Sequence, residues 1–385
     1  MKSLYAKYAA LYNFSYMSIG ALLPLIGQYL KYIGFSGTQI GSITATGTAV
    51  AIFASAFWGR EYNKSDKKHE ILMLLCVMAA FVCFLLINVR EYYLFLLIFG
   101  LMYFFQAPIM SLTDAFTVTS EQGFGGLRAW GAVGFALGIF MAGQVAELLG
   151  IGIIFLFYIV SFALAALMIW TIRRTRRNEK QERAEKRESV SGYRQILQDK
   201  WIRRLIICTF FMGGTNVANN TYFSFLYIEG GGTVAGVGVV MLLMVGSEAP
   251  FMACCEKLSA KFTMQKVILA AMIISVIRFL LFGMGLPWWM LIALSFSQGA
   301  VNGVLLIEFV RYASSLAPKG NESIAISAYY IIGSSLSTIC CQLVGGVLLD
   351  TAGATGVYLF FGAFNLIGVV LYVKFRLHED MKMRA

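Results

Sequence analysis

The chain has 385 residues, of which 59% are hydrophobic and only 13% are charged, and its mean hydropathy is +0.73. Soluble globular domains carry about 25% charged residues, so this composition excludes a soluble domain and indicates a polytopic membrane protein. The formal net charge is +11, and much of it lies in one segment near the middle of the chain.

The hydrophobic residues fall into runs that are long enough to cross a membrane. A spanning helix needs about 20 mostly apolar residues, and a membrane β-barrel would instead show alternation, which is absent. The predicted fold class is therefore an all-α membrane protein with twelve transmembrane helices in two six-helix halves. By the length rule of about 20 residues the runs are 8–31, 37–59, 69–89, 92–117, 125–148, 151–172, 202–228, 233–256, 265–285, 287–314, 322–348 and 353–376.

The charged middle segment divides the chain. We predict an N-terminal six-helix half at 1–172, a basic cytoplasmic linker at 173–200, and a C-terminal six-helix half with its tail at 201–385. A linker of this charge contacts anionic lipid headgroups. The alternative, nucleic-acid binding, is disfavoured because no aromatic or base-reading residues are interleaved with the basic ones.

Basic residues in the short loops predict the orientation. Positive charge is retained on the cytoplasmic side, and the connections after even-numbered runs are basic in both halves, at 60–68 and at 257–261. The connections after odd-numbered runs carry fewer such residues. Both termini are therefore expected in the cytoplasm, with the protein in the cytoplasmic (inner) membrane of a bacterium.

Two charged residues stand at the junction of the fourth and fifth runs. Asp114 closes the fourth run and Arg128 opens the fifth. A charge at the bilayer centre costs about 2.5–3.5 kcal/mol on insertion scales, so each needs a partner or a water-filled cavity. Phe135 returns to the face of Arg128 and is expected to contact a ligand, whereas Trp130 points elsewhere and is expected to pack between helices. The alternative is an ion pair that only ties the two helices together.

Further polar groups in the first and seventh runs are candidate substrate contacts. Tyr12 and Tyr16 lie near one face of the first run and are expected to line a cavity. The seventh run contains Asn216, Asn219 and Asn220, and so many amides are expected to face a cavity rather than lipid. We therefore predict Asp114, Arg128 and Phe135, together with Tyr16, Asn216, Asn219 and Asn220, as substrate-binding residues.

Glu248 and Arg278 lie inside the eighth and ninth runs and are predicted to couple transport to protons. A carboxyl group removed from water takes up a proton more readily, and an arginine on the next helix can compete with that proton. The alternative is a permanent bridge between Glu248 and Arg278. Glu308 and Arg311 are interpreted first as an i, i+3 pair near the cytoplasmic surface, where water solvates the carboxylate.

The segments 114–116 (Asp-Ala-Phe) and 124–135 (Phe-Gly-Gly-Leu-Arg-Ala-Trp-Gly-Ala-Val-Gly-Phe) carry a family resemblance. This stretch resembles the lactose permease-like branch of the major facilitator superfamily, and the resemblance extends to the first, eighth and ninth runs. It implies that Asp114 and Arg128 bind a sugar on which an aromatic residue stacks. It also implies transport by alternating access. The sequence departs from the pattern in the tenth run, where Gln298 and Val301 or Asn302 replace the family's coupling His and Glu.

Taken together, these features predict a proton-coupled symporter that imports a small polar metabolite such as a sugar, a nucleoside or an aromatic acid. The alternatives are a proton-driven exporter of amphipathic compounds and a transporter-like sensor that carries no flux. The chain has no phosphate loop, metal cluster or catalytic triad, so we predict neither an enzyme nor a cofactor or metal. The expected partners are the small-molecule substrate, the proton and membrane lipids, with no nucleic acid, and the expected state is a monomer.

Overall fold

The computed structural model describes residues 2–118, 124–175, 198–318 and 321–379. Every regular element in these ranges is helical. The first six helices are α1 Lys2–Tyr32, α2 Gly37–Lys64, α3 Lys68–Leu86, α4 Tyr92–Val118, α5 Phe124–Leu149 and α6 Ile153–Thr175. Most of the predicted linker, residues 176–197, lies outside the described residues.

The remaining helices are α7 Lys200–Glu229, α8 Val234–Phe262, α9 Met264–Phe282, α10 Trp288–Ser295, α11 Val304–Leu316, α12 Glu322–Ala328 and α13 Ser337–Lys374. Two π-helical segments, at Gly299–Gly303 and Tyr329–Leu336, precede α11 and α13. Gly353 interrupts α13 with a left-handed backbone conformation, φ 67°. A glycine tolerates this conformation because it has no Cβ.

Among the described residues, ten helical stretches are long and apolar enough to cross a membrane. Helix α7 is not one of them, because the asparagines at its centre lower its hydropathy. The stretch Ile324–Lys374 counts as a single span of 51 residues, which at 1.5 Å per residue is far longer than the roughly 30 Å of hydrocarbon in a bilayer.

The chain divides into two compact units. The first comprises Met1–Glu185 with Thr233–Leu242, and the second comprises Lys186–Gly232 with Leu243–Ala385. In the first unit α1 packs against α5 and α6, and α4 packs against α2 and α3. In the second unit α13 packs against α7 and α9, and α9 also contacts α11.

Glycines on α5 allow it to lie against the backbone of α1. A Cβ added at Gly134 would collide with the carbonyl oxygen of Asn13, and one at Gly138 would collide with the carbonyl oxygen of Met17. A Cβ added at Gly20 on α1 would likewise collide with the carbonyl oxygen of Phe135. Small residues at four-residue spacing permit this close approach, and the site described below depends on it.

Replacing Gly134 with alanine is expected to lower the midpoint of thermal unfolding of the purified protein. The added methyl group meets backbone, which cannot move aside, and such overpacking costs about 1–3 kcal/mol. Gly59→Ala is the matched control, because a Cβ at Gly59 would meet nothing within 4 Å and alanine favours the helix. Equal midpoints for the two variants would contradict the close packing of α1 and α5.

Candidate functional site

Asp114 and Arg128 form an ion pair between the end of α4 and the beginning of α5. Arg128 Nη1 donates to both carboxylate oxygens of Asp114, each at 2.8 Å. The side chain of Arg128 is 45% exposed and that of Asp114 is 29% exposed. The two charges are therefore mutual partners and still accessible to a ligand.

Two tyrosines of α1 complete this cluster. The Tyr12 hydroxyl donates to Asp114 Oδ1 at 2.8 Å, and Arg128 Nη1 donates to the Tyr16 hydroxyl. The Arg128 guanidinium also lies 5.2 Å from the centroid of the Tyr16 ring, within the range of a cation–π interaction. Because only Nη1 of Arg128 is engaged by the described residues, Nη2 and Nε are free to donate to a ligand.

Gly131 makes room for Tyr16 in this arrangement, since a Cβ there would lie 2.9 Å from the tyrosine ring. Phe135 is half-buried, and its carbonyl oxygen is covered by Gly20. Trp130 is 43% exposed, so the prediction that it packs between helices is wrong. A position on the other face of α5 from Arg128 does not by itself place a side chain against another helix, because the packing of the neighbouring helices decides which faces are covered.

Tyr16→Phe is expected to weaken substrate binding modestly. The variant keeps the ring beneath the guanidinium and removes only the hydroxyl that positions Arg128. The lost hydrogen bond orients the arginine and does not contact the ligand, so we expect binding to lose only about 0.5–1.5 kcal/mol, less than a full charged hydrogen bond, and the apparent KM for uptake to rise about 2- to 10-fold. Tyr32→Phe, at a side chain that is 77% exposed, should leave KM unchanged. An unaltered KM in Tyr16→Phe would mean that the hydroxyl does not orient the arginine for binding.

A second polar cluster lies in the interior of the second unit and contains the other predicted pair. Arg278 Nη2 donates to Asn216 Oδ1 at 3.0 Å, and Nη1 donates to Gln298 Oε1. Asn302 Nδ2 donates to Glu248 Oε1 at 3.0 Å, and Gln298 also bonds to Glu248. The two charged residues are thus joined through a glutamine amide, and among the described residues they form no direct ion pair.

The polar stretch of α7 contacts other helices of the same unit. Thr215 Oγ1 donates to Asn365 Oδ1 at 2.9 Å, and the Tyr358 hydroxyl donates to Asn219 Oδ1 at 2.7 Å. Thr215 and Asn219 are fully buried, so they do not face an open cavity in this conformation. Asn220 is half-buried. The periodicity of α7 did not reveal which helix its amides would meet.

The environment of Glu308 differs from the predicted one. It pairs with Arg311 at 3.3 Å, as the i, i+3 spacing predicts. However, its side chain is fully buried, so the expectation that water solvates the carboxylate is wrong. The reason is that α11 presents it to α8, where Ser259 and Cys255 donate to its Oε1 at 2.6 and 3.1 Å.

A separate cavity of about 560 Å³ lies in the first unit, and the residues of the Asp114–Arg128 cluster do not line it. Its lining includes Tyr29, Arg90, Glu147 and Phe155. Arg90 Nη1 donates to the Tyr29 hydroxyl at 2.7 Å. The described residues contain no group of three or more His, Cys, Asp and Glu side chains that could hold a metal ion.

Comparison with known proteins identifies the family. Residues 5–360 match the family model described as MFS_1 like family. The chain is 32% identical over 365 residues to the maltose permease of Geobacillus stearothermophilus, covering 94% of this chain and 91% of that protein. The chain belongs to the MFS_1 like family. It is therefore a multi-pass membrane protein and a secondary transporter of small molecules rather than an enzyme.

A second relative and a solved structure agree with this assignment. The chain is also 24% identical over 332 residues to a probable 3-phenylpropionic acid transporter of Escherichia coli (strain K12), covering 84% of this chain and 86% of that protein. Its fold is similar to the crystal structure of the nucleoside transporter NupG, with a TM-score of 0.82 at 16% identity over 97% of this chain and 99% of that one. The resemblance to the major facilitator superfamily is thereby confirmed.

Proposed function

We propose that the protein is a proton-coupled symporter that imports a small polar metabolite by alternating access across a bacterial cytoplasmic membrane. The proposed topology has twelve spans in two six-helix halves, 1–172 and 201–385, with both termini and the linker at 173–200 in the cytoplasm. Two features support twelve spans rather than ten. Helix α7 is long enough to cross the bilayer, with 30 residues, and the interruption at Gly353 divides the 51-residue stretch into two segments of spanning length.

The observation that carries the substrate proposal is the exposed ion pair at the junction of α4 and α5. Arg128 offers two guanidinium nitrogens that no described residue engages, and Asp114 offers a carboxylate that accepts from a hydroxyl group. Tyr16 supplies an aromatic face beside them. Charged donors and acceptors next to an aromatic ring suit a hydroxylated metabolite. The maltose permease relative favours a sugar over a nucleoside or an aromatic acid.

Asp114, Arg128, Tyr16 and Phe135 are the proposed substrate-binding residues of the first unit. In the second unit, Asn216 is buried, and its amide oxygen holds Arg278 rather than a ligand. Asn219 is likewise occupied by Tyr358. We therefore retain only the half-buried Asn220 as a substrate contact from α7.

Glu248 is the proposed binding site for the coupling proton. It lies within a candidate span and is only partly exposed. Its contacts are the neutral amides of Asn302 and Gln298, which tolerate either protonation state because an amide offers both donors and an acceptor. Arg278, held by the other end of Gln298, is positioned to pair with Glu248 if that amide moves.

Uptake by right-side-out membrane vesicles tests the proposed function. Radiolabelled maltose, a nucleoside and 3-phenylpropionate would be supplied with an inward proton gradient, with and without an uncoupler. The proposal requires concentrative uptake of at least one of them that the uncoupler abolishes. Uptake that only equilibrates, or that proceeds outward, would favour a uniporter or an exporter instead.

A further inference from the structure

Arg278 is a buried cation whose direct contacts are all neutral. Only 2% of the residue is exposed. Its terminal nitrogens donate to the amide oxygens of Asn216 and Gln298, and its guanidinium lies 4.4 Å from the centroid of the Phe279 ring. Glu248 interacts with Arg278 electrostatically, but among the described residues it forms no direct ion pair with it. Removing a guanidinium from water without a directly paired anion is strongly unfavourable.

Two hydrogen-bond donors of the same cluster have no acceptor. Arg278 Nε and Asn219 Nδ2 are both buried without a partner among the described residues. Asn219 lies three residues after Asn216 and so shares its face of α7. The Tyr358 hydroxyl, which donates to Asn219 Oδ1 at 2.7 Å, also interacts electrostatically with Arg278. Both unsatisfied donors therefore belong to one site.

The charge and the two unsatisfied donors of this site all require the same kind of partner. A positive charge that no described anion contacts directly and two N–H donors without acceptors all favour a negatively charged acceptor, and a buried donor left without one is costly. A water molecule would satisfy the N–H groups but would leave the guanidinium without an anion in direct contact. The site is closed to bulky ligands, because Asn219 is fully buried and Arg278 nearly so.

We propose that Arg278 and Asn219 bind a small monovalent anion, such as chloride, inside the second unit. The anion accepts from Arg278 Nε and Asn219 Nδ2, while Asn216 and Gln298 hold the rest of the guanidinium. This site is separate from the exposed pair of α4 and α5, and it does not depend on which metabolite the protein transports.

Thermal unfolding of the purified protein tests the proposal. Chloride would be titrated against gluconate at constant ionic strength, without substrate. A thiol-reactive fluorogenic dye reports unfolding, because Cys208 and Cys341 are free and buried. We expect a saturable rise of the unfolding midpoint with chloride, since a ligand that binds only the native state stabilises it. Bromide should act in the same way, and its anomalous scattering in crystals should locate it between Arg278 and Asn219.

Variants separate this site from general salt effects. Asn219→Asp keeps an acceptor for Tyr358 and places a carboxylate beside Arg278, so it should be at least as stable in gluconate as the wild type and should not respond to chloride. Arg278→Gln should also lose the chloride response. Arg90→Gln, which alters an exposed arginine of the first unit, should keep it.

Either of two results would overturn the proposal. One is a wild-type midpoint that chloride raises no more than gluconate does, which would leave water as the occupant. The other is a chloride response that persists in Asn219→Asp, which would place the anion elsewhere. If Arg278→Gln fails to fold, Asn219→Asp and the bromide peak still decide the question. Because the assay contains no substrate, a failure of the proposed transport function would leave it unaffected.

Discussion

Replacing Arg128 with lysine is expected to lower the rate of substrate uptake about 10- to 100-fold at limiting substrate, because one charged hydrogen bond contributes about 1.5–3 kcal/mol. In the wild type Nη1 satisfies Asp114 and Tyr16, which leaves Nη2 and Nε for the ligand. Lysine has a single nitrogen and lacks the planar fork. Once that nitrogen pairs with Asp114, no directed pair of donors remains. Initial rates in vesicles, with expression measured in parallel, provide the test.

Two controls distinguish binding from a structural ion pair. Arg173→Lys alters a comparably exposed arginine that pairs with Glu70 at 3.0 Å, and it should leave uptake unchanged. The double variant Asp114→Arg with Arg128→Asp restores opposite charges but exchanges their positions. If the pair only ties α4 to α5, the double variant should recover uptake. Recovery would refute the substrate-binding role, and we expect none.

Glu248→Gln is expected to abolish accumulation of substrate against its gradient while leaving substrate exchange intact. Glutamine has nearly the same shape and can still accept a hydrogen bond from Asn302, so the local packing should persist. It cannot take up or release a proton, so the proton gradient no longer drives transport. Accumulation driven by an imposed pH gradient and counterflow in the absence of a gradient would be measured on the same vesicles.

Glu61→Gln is the matched control for this experiment. Glu61 pairs with Lys64 at 3.2 Å at an exposed position, and its replacement should preserve both activities. Accumulation that survives in Glu248→Gln would show that another group carries the proton or that the coupling ion is not a proton. Loss of both accumulation and exchange would instead indicate that Glu248 is needed for substrate binding or folding.

The ion pair at the first site could be predicted because its members are close in the chain. Asp114 and Arg128 lie only 14 residues apart, at the end of one helix and the beginning of the next, so few arrangements keep them apart. Tyr16 comes from a distant helix, and the glycines of α5 permit a close approach without specifying that α1 is the partner. The contact of Tyr12 with Asp114 needed the rotation of α1, which the sequence pattern does not specify.

The second site could not be predicted in detail. The sequence indicated that Glu248 and Arg278 need partners, since buried charges are costly, but several helices offered them. Arg278 instead contacts Asn216, which is 62 residues away, and Gln298, which is 20 residues away. The environment of Glu308 was likewise only partly predictable. Its i, i+3 spacing predicted the pair with Arg311 but did not predict that α8 would cover its carboxylate.

The sequence by itself determined that this protein crosses the membrane many times as helices, because a bilayer requires long apolar runs whose backbone is internally hydrogen-bonded. It also determined where along those runs the scarce charges and amides lie. Only the tertiary structure decided which of these polar groups meet and which are enclosed. These contacts depend on the rotation and close packing of helices that are distant in the chain. The helical repeat determines only which residues share a face of one helix.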